Sequence, residues 1–253
     1  MKRRFVVLAL LVLAGPAWAE NPAEHPAECR VAAHLAVSSF PLPQVARAFA
    51  AKKLDILVVG AGSSQLPGSS GAKNAYPARL QQALADNLRG IEVKVTTDVK
   101  SKRTAAEMVK ALPADLTATK PALLVWQTGT TDAMLAVDPD QFSQALDRGI
   151  NAAHSAGADV VLLNAQYSPR TESMIALGTY AEDMRWVALQ QEVPLFDRFG
   201  IMRLWSDLGT FDLYSATKKL DIAEQVHDCI GRLLADFVIA AAKPEEQPMN
   251  GSR

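Results

Sequence analysis

Three short, hydroxyl-rich stretches hold the residues of this sequence whose types and spacing could do chemistry. They are Gly62-Ser63-Ser64, Gly129-Thr130-Thr131-Asp132 and Gln166-Tyr167-Ser168-Pro169-Arg170. Each follows an apolar run: Leu54–Gly60, Pro121–Gln127 and Asp159–Asn164. A serine at the carboxyl end of a buried strand can present its hydroxyl beside backbone N–H groups, as acyl transfer requires of a nucleophile and its oxyanion site. The same small residues also suit a plain turn, so one stretch alone decides nothing. Convergence separates a site from incidental turns. In one parallel sheet these strand ends share an edge, and their loops can line a single pocket.

The elements that must bring them together read as alternating strands and helices. After the serine loop, Tyr76-Pro77 opens a helix with Leu80, Leu84 and Leu88 on one face. Ile91–Thr97 alternates as a second strand. A charged loop at Asp98–Arg103 and a cap at Thr104 precede a helix over Ala105–Leu112, which Pro113 should interrupt or end. Further helices are expected over Asp140–Ala156, Glu172–Gln190, Phe199–Leu208 and Ala216–Ala242, with a short fifth strand at Val193–Phe196. This order predicts an α/β fold: one doubly wound parallel sheet of five strands flanked by helices. No repeat, Walker-type motif or dinucleotide glycine motif is present, and no cofactor is called for.

The first residues carry a different pattern. Met1-Lys2-Arg3-Arg4, an apolar run over Phe5–Ala14 and a small-residue ending at Ala17-Trp18-Ala19 describe a secretory signal peptide cleaved after Ala19. The run is too short to span a bilayer comfortably, and no second one follows. Four parts are therefore expected: a signal peptide at 1–19, an amino-terminal arm at 20–53, a domain at 54–242 and a disordered tail at 243–253. The expected location is periplasmic or secreted. Cys29 and Cys229 are the two cysteines of the 253 residues, and in an oxidising compartment they predict one bridge from the arm to the last helix. Neither has metal-site spacing. With 26 basic and 27 acidic residues interspersed, the chain shows no electrostatic footprint for nucleic acid.

Taken together, the motif blocks resemble those of the SGNH/GDSL hydrolase family. That family carries Gly-Asp-Ser-x-x-x-Gly after its first strand. Gly62-Ser63-Ser64-Gln65-Leu66-Pro67-Gly68 matches in frame, with Ser63 in place of the aspartate and Ser64 at the nucleophile position. Ala75-Tyr76-Pro77-Ala78-Arg79-Leu80 is similar to the start of the family's first helix, and Gly129-Thr130-Thr131-Asp132 to its Gly-x-Asn-Asp block. The resemblance implies a three-layer sandwich acting on an acyl or acetyl ester. It implies Ser64 as nucleophile, His227 or a water-assisted substitute as base, and Asp212 or Glu224 to orient it. Gly62, Gly129, Thr131 and the Ser64 backbone N–H would form the oxyanion site, with Ser168 and Arg170 contacting the ligand.

The departures point the other way. The second-block loop, Asp98-Val99-Lys100-Ser101-Lys102-Arg103, has no glycine, and Thr131 replaces the asparagine donor. The family's Asp-x-x-His fits two registers. Asp212-Leu213-Tyr214-Ser215 keeps the aspartate but not the histidine, whereas Glu224-Gln225-Val226-His227 keeps a carboxylate three residues before a histidine, on a helical pattern with Leu220, Ala223, Ile230 and Leu234. Two readings follow: a serine ester hydrolase of cell-envelope lipid or glycan, or a catalytically degenerate hydrolase fold that binds such a ligand. The position of His227 relative to Ser64 discriminates them.

Overall fold

The computed structural model describes residues 26–214 and 220–243. The signal-peptide pattern at 1–19, residues 244–253 of the expected tail, and Ser215 of the alternative motif register lie outside these residues.

In chain order the elements are α1 (Pro43–Ala50), β1 (Lys53–Gly60), α2 (Gly71–Asn74), α3 (Tyr76–Asn87), β2 (Glu92–Val99) and α4 (Ala105–Thr119). There follow β3 (Leu123–Gln127), α5 (Thr130–Met134), α6 (Pro139–Ser155), β4 (Asp159–Leu163) and α7 (Pro169–Glu172). The last are α8 (Leu177–Gln190), β5 (Leu195–Phe196), α9 (Arg198–Asp207) and α10 (Leu220–Ala242). The sheet is entirely parallel, ordered β2-β1-β3-β4-β5. The doubly wound five-strand sheet predicted from the sequence is therefore present.

Its strands are buried on both faces, which is why they read as continuous apolar runs. Leu54, Ile56, Val58, Leu123, Val125, Val161 and Leu163 pack toward α1, α3, α9 and α10. The alternate residues Leu57, Val59, Leu124, Trp126, Val160 and Leu162 pack toward α4, α6 and α8. The chain reverses direction across the sheet between β1 and β3, so the crevice at their carboxyl ends is the topological switch point.

Two expectations are corrected. Pro113 lies inside α4 rather than ending it. The missing backbone donor costs on the order of 3 kcal/mol, but carrying the helix on buries Leu116 beside Met108 and Leu112, each buried side chain being worth about 1.5–3 kcal/mol. The helix expected over Glu172–Gln190 is split into α7 and α8. Ile175 packs against the core there, and its carbonyl accepts the Leu177 N–H at the start of α8.

The cap at Thr104 is present as a reciprocal box: its hydroxyl accepts the Glu107 N–H while its own N–H donates to the Glu107 carboxylate. The segment before β1 is tied down at several points. The Asp159 carboxylate accepts the Gln44 and Val45 N–H groups, Leu42 N–H donates to the Ala241 carbonyl, and the Trp205 indole donates to the Arg30 carbonyl. The Cys29–Cys229 disulfide joins this segment to α10.

Candidate functional site

At the end of β1 the chain makes one 3-10 turn over Gly62–Ser64. This turn aims its two serines differently. Ser64 is 1% exposed. Its hydroxyl donates to Gln127 Oε1 at 2.7 Å and lies 3.1 Å from the Tyr76 hydroxyl. The single Ser64 proton is spent on the amide oxygen, so the Tyr76 O–H donates to Ser64 Oγ. Burial pushes the Tyr76 phenol up to about 12, which keeps that proton in place. An amide oxygen is no base, and among the described residues the Ser64 hydroxyl bonds only to Gln127 and Tyr76. The Ser64 N–H is also used, donating to the Ala61 carbonyl at 2.9 Å. The expectation of an exposed Ser64 hydroxyl beside a free N–H is thus corrected: the tight turn folds both inward.

Ser63 is half-buried instead and borders a cavity. With Gly62, Gln166, Ser168, Arg198 and His227 it lines a cavity of about 350 Å³ between the serine turn, the loop after β4, α9 and α10. Leu66, Met202, Leu213 and Val226 form its apolar part. The Ser63 hydroxyl donates to the same Gln127 Oε1, at 3.1 Å, and that oxygen also accepts the Ala61 N–H at 3.3 Å. Gln127, at the end of β3, is therefore the acceptor that holds the turn across the switch point. Its apolar neighbours in the strand hid it in the sequence. Neither Ser64 nor Thr131 lines this cavity, whereas Ser168 does. The three do not form one pocket, because the loops after β1 and β3 are closed against each other by Gln127.

His227 lies within α10, as its helical spacing indicated, and is 4% exposed. Its Nδ1 accepts the Tyr76 backbone N–H at 3.0 Å. A neutral imidazole whose Nδ1 accepts must carry its proton on Nε2. That is the reverse of the tautomer used in a serine–histidine–carboxylate triad, where Nδ1 donates to the carboxylate and Nε2 takes the serine proton. Burial, with the Arg198 guanidinium nearby, pushes the imidazole down to about 3, so it stays neutral at ordinary pH. Among the described residues no hydrogen bond joins it to Ser63 or Ser64. Of the carboxylates proposed to orient it, neither forms a hydrogen bond to the imidazole among the described residues. Glu224 accepts from the Asn74 amide, and Asp212 sits at an exposed position before the buried Leu213.

The remaining expected residues have their own local roles. Ser168 caps α7, accepting the Thr171 N–H, while Arg170 is exposed on α7 outside the cavity lining. Gly129 takes a left-handed conformation (φ 97°) that opens α5. Thr131 is buried beyond the cavity, and Asp132 accepts the Ala105 N–H at the start of α4. Lys100 and Arg103 are paired with Asp98, and Arg103 also reaches the Gly60 carbonyl, so this loop clips β1 to β2.

Arg198, which the sequence reading did not single out, is the charged residue of the cavity wall among the described residues. It is fully buried, donating to the Ser63 carbonyl at 3.0 Å and to Gln166 Oε1 at 3.2 Å, with its guanidinium 5.5 Å from the centre of the Tyr76 ring. Desolvation lowers its pKa to about 10, leaving it charged at neutral pH. Its neighbour is Asp197. That carboxylate caps α9 and accepts from Asn164 and Arg185, which turns Arg198 toward the cavity.

The sequence profile of the non-GDSL lipase-like family matches residues 28–244. The chain belongs to this family. Membership accounts for a hydrolase-like frame around a serine turn that lacks the Gly-Asp-Ser order, and it makes the chain an SGNH/GDSL-type hydrolase relative. This non-GDSL chain is 35% identical over 114 residues to esterase TesA of Pseudomonas aeruginosa, covering 45% of the chain and 55% of TesA. It thus spans about half the length of that curated relative. Its fold is similar to that of Axe2, an acetylxylan esterase from Geobacillus stearothermophilus (TM-score 0.58, 16% identity, 73% of this chain and 94% of that one). It is also similar to the lipase/acylhydrolase from Enterococcus faecalis (TM-score 0.54, 19% identity, 71% and 96%).

Proposed function

We propose that this lipase-like protein binds an acyl or acetyl ester of a cell-envelope lipid or glycan in the cavity beside Ser63, and that serine-based ester hydrolysis is vestigial in it. One observation carries this reading: His227 Nδ1 accepts the Tyr76 N–H, which places the imidazole proton on Nε2, where a general base needs a lone pair. Without a base the serine hydroxyl is a poor nucleophile. The absence of a glycine from the second block and the threonine at 131 weaken oxyanion stabilisation as well, each lost donor typically costing about 10²–10³ in rate. Export to an oxidising compartment is part of the proposal. The Cys29–Cys229 bridge supports it, and no helix among the described residues is long and apolar enough to cross a membrane.

A second reading, active ester hydrolysis, is favoured by Ser63, which lines the cavity together with His227, and by the similarity to TesA. The experiment is hydrolysis of p-nitrophenyl acetate and butyrate with fluorophosphonate labelling, using Ser63→Ala and Ser64→Ala as controls. The proposal expects no labelling and no turnover that either variant abolishes. Rapid stoichiometric labelling lost in one variant would overturn it in favour of the esterase and would identify the serine.

A further inference from the structure

Arg198 is a buried guanidinium with no carboxylate partner among the described residues. It has five N–H donors, and two are used, on the neutral Ser63 carbonyl and the Gln166 side chain. Its Nε has no partner. Leaving a buried cation without a counter-ion is costly, and the Tyr76 ring face offsets only part of that cost. Among the described residues the cavity lining contains no Asp, Glu or Lys. His227 adds to the same polarity. With Nδ1 occupied, its Nε2–H can only donate, and it has no acceptor among the described residues. Ser63 and Ser168 bring hydroxyls to the same wall, while Leu66, Met202, Leu213 and Val226 bring apolar surface.

The geometry points to an anion-recognition site: the cavity takes a small amphiphile whose carboxylate or phosphate head lies against Arg198 and His227 and whose short alkyl or acyl chain lies along the apolar wall. This deepens the ester-binding reading and rests on it, since it names an anionic ester as the ligand class. A cavity of about 350 Å³ suits a head group with a chain of a few carbons rather than a long lipid tail.

Isothermal titration of the wild-type chain with four probes tests this: monoethyl succinate, diethyl succinate, n-valerate and mono-n-butyl phosphate. Monoethyl succinate is expected to bind about tenfold or more tighter than the neutral diester, with an affinity that falls as salt rises. The tighter of valerate and butyl phosphate identifies the head group. Arg198→Met should erase the preference for the anion, while Arg198→Lys, which keeps the charge but loses the fork, should retain part of it. The wild-type comparison stands even where Arg198→Met fails to fold. Equal affinity for the two succinates overturns the anion inference and leaves ester binding intact. Binding of valerate or butyl phosphate without either ester supports the anion site and refutes the ester reading. No binding of any probe overturns both.

Discussion

Lowering the pH from 7 to 5 should destabilise this protein through His227, and a His227→Gln variant should lose that part of the response. The unfolded histidine titrates near 6.5, whereas in the folded chain burial and the Arg198 charge push it down to about 3. Between those values the unfolded state holds a proton that the folded state does not, so stability rises with pH across the window and is flat above it. One proton of difference corresponds to about 1.4 kcal/mol per pH unit. The loss is therefore about 2 kcal/mol at pH 5, with a ceiling of about 5 kcal/mol below pH 3. The two acids nearest it on the helix do not rescue the charge: Glu224 faces Asn74, and Asp228 faces Arg79 and Arg232. Asp132 and Asp159, which burial raises, titrate in both proteins and cancel in the comparison. The assay is urea denaturation of wild type and His227→Gln at pH 7, 6 and 5. The variant should show a shallower pH slope by close to one proton. Identical slopes would mean that His227 titrates normally when folded, and the argument from its burial would be refuted.

Other expected outcomes follow from particular contacts. Replacing Gln127 by Leu strands the Ala61 N–H and two serine hydroxyls that share its oxygen; a loss of about 2–4 kcal/mol in urea denaturation is expected. A β-carbon at Gly231 would lie 2.4 Å from Arg79 Cβ and 2.9 Å from the Leu80 backbone nitrogen, so Gly231→Ala should force α10 off α3 and cost about 1–3 kcal/mol. Removing the Cys29–Cys229 bridge, whose cysteines are 200 positions apart, should cost about 5 kcal/mol by chain-entropy arithmetic. Non-reducing mass spectrometry and the denaturation midpoint of Cys29→Ser check it.

The fold was legible because parallel strands buried on both faces leave continuous apolar runs, and Leu54–Gly60, Pro121–Gln127 and Asp159–Asn164 are such runs. The Cys29–Cys229 pair was legible from cysteine count and compartment. The helical placement of His227 was legible from its spacing with Leu220, Ala223, Ile230 and Leu234. Side-chain direction within the serine turn was not. Ser63 and Ser64 are chemically identical, and only the 3-10 geometry with Gln127 decides which one meets the cavity. Arg198 escaped notice because a lone arginine at a helix start reads as a surface residue; its burial depends on Gln166 and Ser63, distant in sequence. The imidazole tautomer depends on a contact with Tyr76 across 151 positions, which no local pattern encodes.

The claim that His227 cannot serve as the base is tested most directly by nitrogen-15 NMR of its imidazole, with Tyr76 and His227 assigned and the pH varied from 8 to 5. The structure predicts a neutral ring across this range, with a proton on Nε2 and an unprotonated, hydrogen-bonded Nδ1. A proton on Nδ1, or a titration midpoint between 6 and 7, would contradict the account and return His227 to the role of general base.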